Sequence, residues 1–149
     1  MKIEDEIKQK PFKDNYTKAI VNLLYTHSYL VTAQSRIFKP YDLSPEQYNV
    51  LRILRGQHPD PTTVSSIQER MLNKMSNASR LVEKLKQKGM VGRKECIHDR
   101  RQVDITITQV GLEILEQLDD EIQTFNKSIL NLDENEVSQL NDLLDKLRG

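Results

Sequence analysis

Tryptophan is absent and cysteine occurs once, as Cys96. A single thiol cannot close an internal disulfide, which excludes the stapled scaffold of a small secreted domain. Glycine and proline are scarce, five of each in 149 residues, and nothing clusters into a repeat, a low-complexity segment or a flexible linker. No apolar run approaches the roughly 20 residues that a membrane-spanning helix needs. The N-terminal MKIEDEIKQKPFKD lacks the apolar stretch of a secretory signal. His27, His58 and His98 are scattered, so no H-x-x-x-H or C-x-x-C spacing offers a metal site. There is no Gly-rich phosphate loop, and no nucleophile stands beside a base. The expectation is a cytoplasmic protein that is not an enzyme, carries no cofactor or metal and makes no membrane contact.

What the chain does have is unevenly placed charge. The totals balance at 22 basic and 22 acidic residues. Between Arg70 and Arg101, however, ten basic residues stand against three acidic ones, a net +7, so the remainder carries −7. A neutral protein with its positive charge in one block has a polarised surface, the footprint of a nucleic-acid-binding face. A lysine-rich solvated helix beside a basic loop gives the same count. The order of elements around the block decides between them.

Val64, Ile67 and Met71 recur at three and four, the period of a short helix. Leu72-Asn73 follows as a tight turn, Asn being tolerant of the left-handed conformation. Ala78, Leu81, Val82 and Leu85 then give a second, basic helix ending at Gly89, with Lys86 and Lys88 suited to its last turn. The period next shifts to alternation. Met90-Val91 and then Val103, Ile105 and Ile107 read as two strands joined by a basic link, Ile97 to Arg101. Two helices across a turn followed by a hairpin are a helix-turn-helix with a wing.

In this stretch the chain resembles the MarR (multiple antibiotic resistance regulator) family of transcription factors. The resemblance is carried by SNASRLVEKLKQKGMVGRK, by Asp99-Arg100-Arg101, and by Ile105-Thr106-Ile107-Thr108 with Gly111, against a family pattern of D-x-R, a strand, then L-T-x-x-G. Ile107 replaces the usual Leu, and Leu72 stands where members often carry Gly. The resemblance implies a winged helix-turn-helix that binds DNA. It also implies that Arg101, two places after the Asp, enters the minor groove, where narrow A·T-rich DNA attracts a guanidinium. Family members often hold small, frequently phenolic ligands between the dimer helices and the DNA-binding lobe. Candidates here are Tyr25, His27, Tyr29, Arg36 and Tyr48, which would suit an aromatic acid and would suit a protein core equally well. Members that sense peroxide use a cysteine near the start of the first helix, where this chain has none. Cys96 therefore reads as an inert strand residue.

The flanks are helical. A long helix from about Asp14 carries Tyr16, Ile20, Leu23, Leu24, His27, Leu30 and Val31 at three and four, and stops before Pro40. Ser44-Pro45-Glu46-Gln47 is a helix start with a capping box, and Tyr48, Leu51 and Leu54 then face a core. Thr108 caps a further helix bearing Leu115, Leu118, Ile122, Phe125 and Ile129. Asp133 and Glu136 box the last helix, with Val137, Leu140, Leu144 and Leu147. These stripes are heptad seams. They could pack on each other and on the first helix. The favoured expectation is a homodimer interface that includes Ile20, Leu118, Ile122, Phe125, Leu140, Leu144 and Leu147.

The expected fold is thus mainly α with a small β wing, in one domain. Dimerisation helices lie at about 14–39 and 109–149, around a DNA-binding lobe at about 44–108. DNA contacts are expected from Thr62, Thr63 and Ser65 at the start of the first motif helix. The recognition helix is expected to supply Lys74, Met75, Ser76, Asn77, Ser79, Arg80 and Lys84, and the wing Arg100 and Arg101, supported by Asp99. Arg80 suits guanine and Asn77 adenine, while Ser76 and Asn77 could instead be helix caps. The expected function is a ligand-modulated repressor binding a palindromic operator in double-stranded DNA. The competing readings are a winged-helix module for protein assembly and a small-molecule-binding protein without an operator.

Overall fold

The computed structural model describes every residue except Arg100. Seven helices and one hairpin follow in the order α1 (Ile3–Glu6), α2 (Asn15–Phe38), α3 (Pro45–Gln57), α4 (Val64–Arg70), α5 (Ala78–Gln87), β1 (Val91–Glu95), β2 (Val103–Ile107), α6 (Gln109–Leu130) and α7 (Glu134–Arg148). No helix among the described residues is long and apolar enough to cross a membrane.

The caps explain where the helices begin. Asp14 accepts the Thr17 N–H at 2.8 Å and starts α2. Ser44 and Gln47 form the reciprocal capping box of α3, with both hydrogen bonds at 3.1 Å and Pro45 just inside the helix. Thr108 accepts from Gly111 and starts α6, and Asp133 and Glu136 box α7. Each cap satisfies backbone N–H groups that would otherwise lack partners at a helix start. A short 3-10 turn, Lys39–Tyr41, takes the chain from α2 through Pro40 toward α3.

One core fills the middle of the chain. It gathers Phe38, Val50, Leu51, Leu54, Ile67, Met71, Val82, Leu85, Ile105, Ile107, Leu115 and Leu118. Helices α3, α4 and α5 and the hairpin each turn an apolar side inward here. Tyr48, expected in this core, is only half buried at its edge, its ring stacked on Phe38 at 4.4 Å. The hairpin is antiparallel, in register from Val91 opposite Ile107 to Glu95 opposite Val103. Met90, read as the first strand residue, precedes β1 and is buried below it.

The terminal helices divide differently from their periodicity. Leu118 and Ile122, expected at a dimer interface, are 0% and 8% exposed and belong to the core of the single chain. Their seam turns inward against α3, and only its later positions, Phe125 and Ile129, remain half buried. Helix α7 buries none of its residues. On α2 only Phe38 is buried, while Tyr16, Ile20, Leu24 and Tyr29 lie mostly in solvent. Arg55 of α3 fixes α6 from the polar side, forking onto both carboxylate oxygens of Asp119 at 2.8 Å. That pairing raises the guanidinium pKa and lowers that of the Asp119 carboxyl.

Candidate nucleic-acid interface

The outward face of α5 follows from its inward one. Ala78, Val82 and Leu85 are spaced by four and three and point into the core, leaving Ser79, Arg80, Lys84 and Gln87 in solvent. Both ends are closed. Asn77 accepts the Arg80 N–H at 3.0 Å. At the far end the Gly89 N–H donates to the Lys86 carbonyl at 2.9 Å and the Met90 N–H to the Leu85 carbonyl at 3.0 Å. This double closure needs a left-handed residue, and Gly89 supplies it at φ 74°. The buried pair Leu85 and Met90 seals it from below.

The turn ahead of α5 corrects two expectations. Asn73 is not left-handed. Its side chain accepts the Met75 N–H at 3.0 Å and its carbonyl the Ser76 N–H at 3.1 Å, an Asx turn that reverses the chain without positive φ. Lys74, Met75 and Ser76 therefore precede the helix instead of lying on it, and Asn77 is its cap. The turn spans residues 71–77 and is tied down on both sides. Asn49 of α3 accepts the Leu72 N–H at 2.9 Å, and Gln68 of α4 accepts the Ala78 N–H at 3.0 Å. The Lys74 ammonium donates to the Glu69 carbonyl. The Ser76 hydroxyl oxygen is buried and has no partner among the described residues. Asn49 and Gln68 are supports that hydrophobic patterning could not reveal, because their partners are backbone groups.

At the start of α4, Thr63 caps by accepting the Ser66 N–H at 3.1 Å, and Ser65 is exposed. Thr62 lies outside the helix. It exchanges backbone hydrogen bonds with Ile105 at 3.0 and 2.8 Å, so it adds one rung to the hairpin and joins the helix-turn-helix to the wing.

The wing tip is set by its own hydrogen bonds. The Cys96 N–H donates to the Gln102 carbonyl at 3.0 Å, and the Gln102 N–H to the Asp99 carbonyl at 2.9 Å. The Asp99 carboxylate accepts the Arg101 N–H at 2.9 Å, which fixes the backbone carrying that exposed guanidinium. Cys96 is half buried one residue beyond β1. Arg100 lies outside the described residues.

Not every cation of the basic block faces the same way. Lys88 turns back toward α3, pairing with Asp42 at 3.2 Å and donating to the buried Gln47 at 3.2 Å. It ties the end of α5 to the capping box. Arg93 of β1 meets Glu83 of α5 at 3.7 Å. Both line an open groove with Asn77, Ser79, Arg80, Lys84 and Gln87. The linear charge count hid the meeting of Glu83 and Arg93, since it summed them without showing that they pair.

The five proposed ligand residues do not all meet within one chain: Tyr25 and Tyr29 neighbour each other on α2, four residues apart, while Tyr48 lies on α3. Tyr25 donates to Glu6 of α1 at 2.8 Å, and that charged acceptor raises the phenol pKa. His27, two residues on, points to the other side of α2. Tyr48 packs on Phe38 and accepts from Arg52 at 3.1 Å. Another open groove is lined by Ser35, Lys39, Asp42, Leu43, Ser44, Pro45, Gln47 and Lys88, and by none of the five candidates.

Known proteins share both this architecture and parts of this sequence. A sequence model of the MarR family matches residues 41–102. The HTH-type transcriptional repressor IacR of Pseudomonas putida is 28% identical over 142 residues, which span 95% of this chain and 80% of the repressor. The organohalide-sensing regulator RdhR, solved with 2,4-dichlorophenol bound, superposes with a TM-score of 0.81 at 19% identity, covering 94% of this chain and 85% of RdhR. Staphylococcus aureus MepR, solved in complex with DNA, superposes at 0.73 with 20% identity, covering 87% and 94% of the two chains. A family match at residues 41–102 alone would mark only a shared module. The likeness instead continues through the terminal helices, and the chain is similar to MarR-family DNA-binding transcription regulators in both sequence and fold.

Proposed function

We propose that two copies of this chain bind a palindromic operator and repress transcription, and that a small ligand modulates them. The observation that carries this reading is α5: a helix capped at both ends, anchored on an apolar face, with Ser79, Arg80 and Lys84 projecting beside a wing. Two such helices about a two-fold axis would meet two half-sites. Arg80 takes the base-reading role, as a guanidinium suits guanine. The Asn77 side-chain oxygen is spent on the cap, so that residue reads adenine poorly, and Ser79, Lys84 and Lys74 serve phosphates. Arg101 reads the minor groove.

The dimer uses what the single chain leaves exposed, Ile20 on α2 and Leu147 on α7, or only half buried, Phe125 on α6 and Leu140 and Leu144 on α7. On this proposal α2, α6 and α7 are the dimerisation elements around the lobe at about 44–108. Because none of the five aromatic and cationic candidates lines either groove described above, a ligand crevice would be completed by the partner copy. RdhR holds a chlorinated phenol on the same fold, which supports an aromatic ligand here. The molecule would act by binding and not by chemistry, in the cytoplasm where its DNA lies.

Selection from a random duplex pool, followed by titration at several salt concentrations, tests this. Each neutralised phosphate should contribute about −0.9 to the slope of log affinity against log salt, so two faces should give a steep dependence. A slope near zero would remove the DNA reading and favour a protein-assembly module.

A further inference from the structure

Large apolar side chains that stand in solvent fall into two sets. Most lie on the N-terminus and on α2, α6 and α7 or the link between the last two, such as Ile20, Leu24, Leu132 and Leu143. Between α2 and α6 the described residues hold three: Leu72 at 87%, Met75 at 91% and Ile97 at 94% exposure. All three fall inside the basic block, two in the turn ahead of α5 and one at the wing tip. Single exposed apolar residues need no explanation. Two within four positions of a short polar turn, with Lys74 between them and Arg80 just beyond, do.

The turn holds these side chains outward. Its backbone is fixed by Asn49 at Leu72, by Asn73 at Met75 and by Gln68 at Ala78, and neighbouring Met71 is buried. Neither Leu72 nor Met75 can fold back into the core without breaking that lattice. The chemistry nearby is cationic, so the partner is anionic. An anionic duplex offers one apolar group in its major groove, the C5-methyl of thymine. We propose that Leu72 and Met75 form an apolar contact for thymine methyls beside the base read by Arg80. They would give this regulator a preference that hydrogen bonding alone does not supply. The proposal rests on the DNA-binding reading above and adds the base that the turn selects.

The experiment uses the full-length protein and an operator from the selected pool. Thymines of each half-site are replaced one at a time by deoxyuridine, which removes the methyl and leaves every hydrogen-bonding group in place. Burying one methyl-sized group is worth about 0.8 kcal/mol, so the parent should lose about fourfold in affinity at one or two positions per half-site. The double variant Leu72→Ser/Met75→Ser should bind thymine and uracil operators alike. Its fold should persist, since neither side chain contributes to the core, and circular dichroism checks this. Ile97→Ser is the control. The wing addresses the minor groove, which carries no methyl, so that variant should keep the parent's discrimination. Tight operator binding with no loss at any uracil would overturn this inference alone. Discrimination that survives in the double variant would overturn it as well. A chain that selects no duplex at all would overturn the DNA reading together with it.

Discussion

Gly111 stands in the first turn of α6, where the helix passes over the base of the wing. A Cβ at that position would lie 2.6 Å from the Met90 carbonyl oxygen and 2.7 Å from the Ile107 Cγ1. Neither neighbour can retreat easily. The Met90 carbonyl accepts the Thr108 N–H at 3.0 Å, and Ile107 is a buried residue of β2. The start of α6 would have to lift, stretching the 3.3 Å cap between Thr108 and the Gly111 N–H. Overpacking of this kind costs about 1–3 kcal/mol, and a backbone obstacle places Gly111→Ala at the upper end. The intrinsic helix preference of Ala returns about 1 kcal/mol. The net loss is then about 2 kcal/mol, or a fall in Tm of about 4–8 °C for a chain of this size. Thermal unfolding followed by circular dichroism reads this directly. A variant as stable as its parent, or more stable, would mean that helix propensity decides the position and that the contact between wing and α6 is loose.

Four further predictions test the remaining assignments. Leu118→Ala should cost about 2–5 kcal/mol in stability at any protein concentration, since it empties the core of one chain, whereas Leu144→Asp should shift the sedimenting mass from dimer to monomer with little unfolding; the reverse pattern would place the seam wrongly. Asp119→Asn should lower stability by about 1 kcal/mol at neutral pH, the pair being partly exposed. The folded carboxyl has the lowered pKa, so its contribution is present at neutral pH and fades below about pH 4, where denaturation curves of parent and variant should converge; a gap that persists in acid would show a packing role instead. Arg80→Ala should cost about 1–3 kcal/mol in operator binding and relax preference at one position per half-site. Arg101→Ala should weaken binding most on A·T-rich flanks, and an equal loss on G·C-rich flanks would make the wing a phosphate clamp.

Much of the fold was legible because its signals are local. The Ser44 to Gln47 box, the Thr108 cap and the Gly89 terminus each depend on residues a few positions apart, and each is present as read. Most of the family resemblance, Ser76 to Lys94 and Asp99 to Arg101, lies inside residues 41–102, which the MarR sequence model matches, while Ile105 to Thr108 and Gly111 lie beyond them. The turn was less legible. Asn at position 73 permits either a left-handed backbone or a side-chain turn, and only the surrounding donors select the second. The reach of the recognition helix was overdrawn for a related reason. Ser76 and Asn77 could each cap the helix or lie on it, and the boundary is set by Gln68 and Asn77 accepting the first N–H groups.

The C-terminal seam shows a deeper limit of periodicity. A stripe spaced 3-4-3-4 states that one side of a helix is apolar, but not whose atoms cover it. Leu115, Leu118 and Ile122 are covered by the chain's own core, and Phe125 and Ile129 on the same stripe are not fully covered. The change in burial falls where α6 runs past the end of that core, a property of helix length and crossing that no single position encodes. The charge count fails in the same way. Lys88 and Lys84 weigh equally in the sum, yet one holds α5 onto the α3 capping box and the other stands free on the outward face. Their difference of four residues is just over one helical turn, so even helical phase barely separates them. What separates them is the start of α3, where Asp42 and Gln47 wait for a cation. The polarity of the surface is therefore written in the sequence, while the division of its cations between holding the helix and facing outward is written in tertiary contacts.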